Sequence, residues 1–276
     1  MNKEEINQYP AISIPTRLQD IFLLDNISEQ YRLKNFDTYE FNGIPVPRVS
    51  NILKECISKE FLISWAARLG MKQYMIEKNK ATTIGSRVHE MIEYYLINGT
   101  DLDLGYKIAP GYIKNVNIAY NNFKSWIDNI NRLGYKIEKI LAIEKEVTCP
   151  YYGGTIDCII QINNAIYIID FKTSKQISYE YIIQTCAYMW LVNNGYLPEI
   201  SRIDGIGIIR VDKEKENKFE DLFLNYHIPY QRDIIDKYIS GFGSLLNSYY
   251  NNINMKQLFS VYKKNYNFEE TIGGIE

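Results

Sequence analysis

Residues 153–175 read Gly-Gly-Thr-Ile-Asp-Cys-Ile-Ile-Gln-Ile-Asn-Asn-Ala-Ile-Tyr-Ile-Ile-Asp-Phe-Lys-Thr-Ser-Lys. Two β-branched runs, Ile156 to Ile162 and Ile166 to Ile169, flank Asn163-Asn164, a pair that takes positive φ at low cost, so the stretch predicts a β-hairpin with a tight turn. Each strand carries an aspartate among apolar neighbours: Asp157 early in the first, and Asp170 at the end of the second with Lys172 two residues on. Strand alternation places Asp170 and Lys172 on one face. A carboxylate at the end of an apolar strand is costly to desolvate unless a cation or hydrogen bonds compensate. Two hard oxygen ligands beside a lysine suit Mg²⁺ or Mn²⁺, with the lysine placed to orient or deprotonate a metal-bound water.

Alone, a D-x-K triplet describes an ordinary ion pair at a hairpin end, because surface pairs are common and weak. The flanking chain adds further polar groups in patterned positions. Thr82 or Thr83 can cap a helix running to about Ile97, with Ile84, Val88, Met91, Ile92 and Tyr95 on its apolar face and Gly85, His89 and Glu93 on another stripe. Alternation in Ile143 to Val147 puts Glu144 and Glu146 on one face of a strand, either able to approach the hairpin's acids, with Glu144 preferred. Ser178 or Tyr179 opens a helix through Val192, on which Gln184 and Tyr188 stand one turn apart.

These pieces together resemble a known family. G-x-x-D at Gly154 to Asp157, D-F-K at Asp170 to Lys172, Q-x-x-x-Y at Gln184 to Tyr188, the upstream Gly85-Ser-Arg-Val-His89-Glu, and Glu144 thirteen positions before Asp157 follow the order of the PD-(D/E)xK nuclease superfamily in its RecB-like branch. The resemblance covers roughly residues 44 to 195. In the wording of its core it is most similar to the mitochondrial genome maintenance exonuclease group and its phage relatives. Ile156 stands where the superfamily name expects proline, a departure the branch tolerates. The resemblance implies a restriction-endonuclease-like core and Mg²⁺ or Mn²⁺ held among Asp157, Asp170, His89 and Glu144. It implies catalytic roles for Asp157, Asp170, Lys172, His89 and Gln184, and DNA contacts from Gln184, Tyr188, Ser174, Lys175 and Arg87. Some relatives carry an iron–sulfur cluster on clustered C-terminal cysteines; no cysteine follows Cys186 here, so no cluster is expected.

Composition sets the outer bounds. A formal net charge of −2 announces no broad nucleic-acid-binding surface, so DNA contact must come from local basic and aromatic clusters. No apolar run is long enough to span a membrane, and the N-terminus lacks a signal-peptide core, which predicts an intracellular, cytoplasmic protein, in the host cytoplasm if phage-encoded. Cys56, Cys149, Cys158 and Cys186 show no C-x-x-C spacing and read as free thiols.

The order of elements predicts an α/β fold: a central mixed β-sheet flanked by helices, with an N-terminal helical extension. Residues 1–40 read as a loosely packed arm whose apolar knot is Ile21 to Leu24, 41–135 as a helical region carrying the histidine, 136–250 as the nuclease core and 251–276 as a polar tail. Helical spacing begins at Pro45, and Phe61, Trp65, Arg68, Lys72, Tyr74, Lys78 and Arg87 mix aromatic with basic groups in a way suited to one nucleic-acid strand. The expected activity is a metal-dependent DNA exonuclease working from free ends of single-stranded DNA in phage or bacterial replication, recombination or repair, alongside proteins of those processes. An endonuclease of the same superfamily and a non-catalytic DNA-binding or assembly protein on a degenerate nuclease fold are the rival readings.

Overall fold

Asn163 and Asn164 both take positive φ, 46° and 67°, and the chain reverses there between two long strands as the hairpin reading requires. The computed structural model describes residues 38–58, 60–103 and 108–265, with side chains described outside 60–62 and 257–265. In chain order the elements are β1 (Thr38–Phe41), β2 (Ile44–Pro47), α1 (Val49–Cys56), α2 (Glu60–Leu69), α3 (Met71–Asn98), α4 (Pro110–Arg132), β3 (Ile137–Thr148), β4 (Gly153–Ile162) and β5 (Ala165–Lys172). There follow α5 (Tyr179–Leu191), which runs into a π-helical turn (Val192–Tyr196), then β6 (Gly205–Val211), β7 (Phe219–Asn225) and α6 (Pro229–Asn265).

The five strands β3 to β7 form one mixed sheet in sequence order, antiparallel throughout except for β5 beside β6. That parallel step is where α5 crosses over, the connection a parallel pair needs. β6 is buried along its whole length, which suits an internal strand covered on both faces. One face packs Ile156, Ile168, Ile206 and Ile208 against α1, α5 and α6; the other packs Cys158, Ile169, Phe171 and Ile209 against α3 and α4. This is the expected α/β arrangement, a mixed sheet flanked by helices with a helical extension before it. Ile156 is fully buried. The four cysteines are unpaired, and among the described residues no helix is long and apolar enough to cross a membrane.

Several local expectations are corrected. Residues from Pro45 do not start a helix: Ile44–Pro47 is the second strand of a small hairpin whose turn is Asn42-Gly43 at φ 50° and 79°. An Asn-Gly pair between β-prone residues signals that turn. Thr82 and Thr83 cap nothing, because α3 is continuous through them; the Thr82 hydroxyl donates to the Lys78 carbonyl within the helix, 3.0 Å. The last helix continues through Gly243 and past Tyr250 to Asn265, so part of the expected tail is helical. The arm's Ile21 to Leu24 and the Phe61 side chain lie outside the described residues.

Glycine in the G-x-x-D stretch has a packing cause. Any Cβ at Gly154 would stand 2.4 Å from the phenol of Tyr188, so the ring from α5 can lie against β4 only where there is no side chain. Gly154→Ala is expected to destabilise the fold by about 1–3 kcal/mol through overpacking, seen as a lower urea midpoint at unchanged slope. An unchanged midpoint would show that the ring moves aside freely.

Candidate functional site

Three elements meet at the acid-bearing end of the central hairpin. α3 brings His89, on the same stripe as Gly85 and Glu93; β3 brings Glu144; β4 brings Asp157. One ligand atom from each of His89, Glu144 and Asp157 lies within 4.8 Å of the other two. The register explains the pairing of the acids: Ile143 opposes Cys158 and Lys145 opposes Ile156, leaving Glu144 opposite Asp157. Glu144 has φ 44°, a left-handed conformation that costs a non-glycine residue about 1–3 kcal/mol and concentrates at functional positions. His89 Nδ1 is 3.5 Å from Asp157 Oδ2, too long for a good hydrogen bond, and its ring stands edge-on to Phe171. Asp157 Oδ2 also accepts the Phe171 N–H at 2.9 Å, which fixes the carboxylate. Gly85, Ser86, His89, Glu90, Glu93, Glu144 and Asp157 line one open cleft of about 410 Å³.

Asp170 stands beside this triad and is 2% exposed. Its Oδ1 accepts from Lys172 Nζ at 2.7 Å, while its Oδ2 is buried without a hydrogen-bond partner. Burial pushes the Asp170 carboxyl up to about 6, helped by the nearby Asp157 and opposed by the Lys172 ammonium. For Lys172, burial works to lower the pKa, but Asp170 and Asp157 outweigh it and the ammonium is held above its ordinary value. The Lys172 ammonium is thus held charged by its two carboxylate neighbours. For Glu144, loss of water and then the Asp157 charge raise the carboxyl pKa. A group of acids that resist ionising together is the electrostatic complement of a cation.

The donor set fits a divalent metal. His89, Glu144 and Asp157 offer one imidazole nitrogen and two carboxylates that could hold an ion, and the buried Asp170 Oδ2 is an acceptor with nothing to accept from.

The remaining predicted residues divide by position. Gln184 Nε2 donates to the Tyr188 hydroxyl on its own helix, 3.3 Å, and Tyr188 is buried with Asp170 and Asp157 near enough to raise its pKa further above the effect of burial. Ser174 and Lys175 lie in the turn after β5, Ser174 Oγ donating to the Gln176 carbonyl at 2.8 Å. Arg87 points its charge at Glu90 on the same helix, 2.5 Å. Glu146 is exposed and paired in register with Thr155, outside the triad. Two residues went unread. Tyr181 carries the Lys172 ammonium 4.9 Å above its ring, and its spacing of three from Gln184 was the available signal. Arg210 is 1% exposed, donates from Nε to the Ser174 carbonyl at 2.9 Å and from Nη2 to Asp212 at 2.7 Å; an arginine in an otherwise apolar strand, two before an aspartate, was its signal.

No protein-family model and no curated protein matches the chain. Among solved structures it is similar to SSO0001 at 14% identity and a TM-score of 0.25, over 64% of this chain and 87% of that one. It is similar to a phage-related exonuclease from Haemophilus somnus 129PT at 11% identity and a TM-score of 0.25, over 60% and 82%. At that TM-score neither likeness bears on the reading of the site.

Cation binding here should be linked to protons through Asp170. Its pKa lies at about 6 in the fold against an ordinary 3.8, so the metal-free fold gains stability from the protonated carboxyl below 3.8 and loses it as pH rises through 6. A bound cation reverses that loss, because it favours the ionised form. The rise in melting temperature on adding Mn²⁺ is therefore expected to be larger above pH 6 than below it. It should be much reduced in Asp157→Ala, and a shift independent of pH would detach Asp170 from the metal.

Proposed function

We propose that the chain is a metal-dependent nuclease that hydrolyses phosphodiester bonds in DNA, acting as an exonuclease on free single-stranded ends. The observation that carries the reading is the buried Asp170 carboxylate, held on one oxygen by Lys172 and unpartnered on the other, beside a His89–Glu144–Asp157 triad that opens to solvent. A structural ion pair would satisfy both oxygens or sit in water; this one leaves a buried oxygen without a partner and lies near Asp157, which lines the open cleft. The order of motifs in the sequence supports the same reading.

A divalent cation, when bound, supplies Lewis acidity at the phosphoryl oxygen and a water of lowered pKa. Among Mg²⁺ and Mn²⁺, the imidazole of His89 favours Mn²⁺. His89, Glu144, Asp157 and Asp170 would hold and orient it. The Lys172 ammonium, fixed between Asp170 and the Tyr181 ring, directs positive charge at the attacking water and at the oxyanion as negative charge grows on the phosphate. Gln184 and Tyr188 bond each other along α5 and keep that helix against Gly154, which sets the distance between the crossover helix and the acids.

Preference for a single strand is supported by the helical extension. Trp65 of α2 and Tyr74 of α3 meet edge to face at 5.3 Å, and Ile63, Met71, Met75 and Ile76 around them are exposed. Flat aromatic and apolar groups of this kind stack bases without reading sequence. With a net charge of −2, the chain lacks the broad basic surface that duplex binding through many phosphates uses.

The test is digestion of end-labelled linear and covalently closed circular single strands of one sequence in Mn²⁺. The linear strand should be degraded and the circle should survive; comparable loss of both would assign an endonuclease, and loss of neither would remove the nuclease reading. Lys172→Ala and Asp170→Asn should each lower the rate by about 10²-fold or more while leaving the circular dichroism spectrum intact. Full activity in Asp170→Asn would contradict the metal role of that carboxylate.

A further inference from the structure

We propose that Lys80, Lys175 and Lys213 form a subsite for the phosphodiester backbone of a single-stranded nucleic acid, on the Gly85 side of the metal cleft. The inference rests on the nuclease reading for the identity of its ligand, but its geometry stands apart from the catalytic groups. The three lysines come from three elements: α3, the turn after β5, and the turn between β6 and β7. α3 touches the end of β5 at Gly85, where a Cβ would stand 3.4 Å from Thr173 Oγ1, two residues before Lys175. Arg210 then ties the two turns to each other. Its Nε holds the carbonyl of Ser174, next to Lys175, and its Nη2 holds the carboxylate of Asp212, next to Lys213.

The Lys213 turn is itself fixed. Its carbonyl accepts from Asn115 at 2.8 Å, and Asp212 Oδ1 accepts the N–H groups of Glu214 and Lys215 at 2.9 and 3.0 Å. These bonds, with that to Arg210, engage both oxygens of Asp212, which makes no ion pair with Lys213. Among the described residues none of Lys80, Lys175 and Lys213 makes an ion pair; the adjacent Asp212 pairs with the buried Arg210, which Glu220 of β7 also faces at 3.7 Å. Burial holds the Lys213 ammonium below its ordinary value; the neighbouring Glu214 and Asp212 oppose this, and the like charges of Lys175 and Lys80 add to it. Three ammonium groups gathered from separate elements, none of them in an ion pair, are the complement of a polyanion. At roughly 1.5 Å per helical residue, Lys80 lies roughly 13 Å along α3 from His89, so the subsite meets the strand away from the bond that is cut.

The experiment measures binding without cleavage. A fluorescein-labelled oligothymidylate is titrated with the full chain in EDTA across a salt series, comparing wild type, the triple Lys80→Gln, Lys175→Gln, Lys213→Gln variant, the corresponding triple Lys→Arg variant, and Lys139→Gln, an exposed lysine on β3. The triple Gln variant should lower the slope of log affinity against log salt by about 2, since each single-strand phosphate contact contributes about 0.7. The Arg variant and Lys139→Gln should keep the wild-type slope. An unchanged slope in the Gln variant, failure of Arg to rescue it, or no strand binding by wild type would overturn the subsite. The two readings separate: a chain that binds through these lysines but never cleaves in Mn²⁺ retains the subsite and loses the nuclease assignment. A chain that cleaves with an unchanged slope loses the subsite alone.

Discussion

Asp170 is a carboxylate almost wholly removed from water, and the protein supplies a partner for only one of its two oxygens. A fold keeps such a group only if something compensates for the lost hydration. Lys172 compensates in part, and its ammonium stays charged because Asp170 and Asp157 surround it. The acids are left in mutual repulsion: Asp157 raises the pKa of both Asp170 and Glu144. A divalent cation at their common centre would satisfy the unpartnered oxygen and relieve that repulsion at once.

The scaffold is arranged to hold these charges still. The tight Asn163-Asn164 turn sets the register that delivers Asp157 and Asp170 on adjacent strands, and the Phe171 N–H of one strand holds the carboxylate of the other. α5 is seated by the fit of Tyr188 on Gly154, and from it Tyr181 reaches under Lys172. Behind the turn that follows Lys172, the buried Arg210 fixes the Ser174 carbonyl. The left-handed backbone at Glu144 is the one place near the acids where the strand gives up regular geometry, and it falls on a ligand candidate.

The hairpin and the sheet class were legible because each rests on short-range pattern: period-two strands and a turn-forming pair. Asp170 and Lys172 were legible for the same reason, since strand alternation alone places them together. The grouping of His89, Glu144 and Asp157 was legible only through the resemblance, because residues on a helix and two strands share no local period. The Gln184–Tyr188 bond followed from helical spacing, but its packing on Gly154 did not, because no local pattern reports that a residue from a distant helix fills the space of an absent side chain. Arg210 was missed since its partners, Ser174 and Asp212, lie on different turns and only the parallel pairing of β5 with β6 unites them. The extent of α3 was misjudged at Thr82, whose hydroxyl satisfies itself within the helix instead of capping a new one. The Asn42-Gly43 turn carried a clear signal that the prolines around it obscured.

The proposed chemistry, hydrolysis of a phosphodiester with the charge on the phosphate met by a cation and by Lys172, depends on one claim: that a divalent ion binds among His89, Glu144, Asp157 and Asp170. The most direct measurement is anomalous diffraction from crystals soaked in Mn²⁺. The account predicts a single strong peak within coordination distance of His89, Glu144 and Asp157, with the Asp170 carboxylate turned toward it. A peak elsewhere, or none at a concentration that supports strand cleavage, would contradict it.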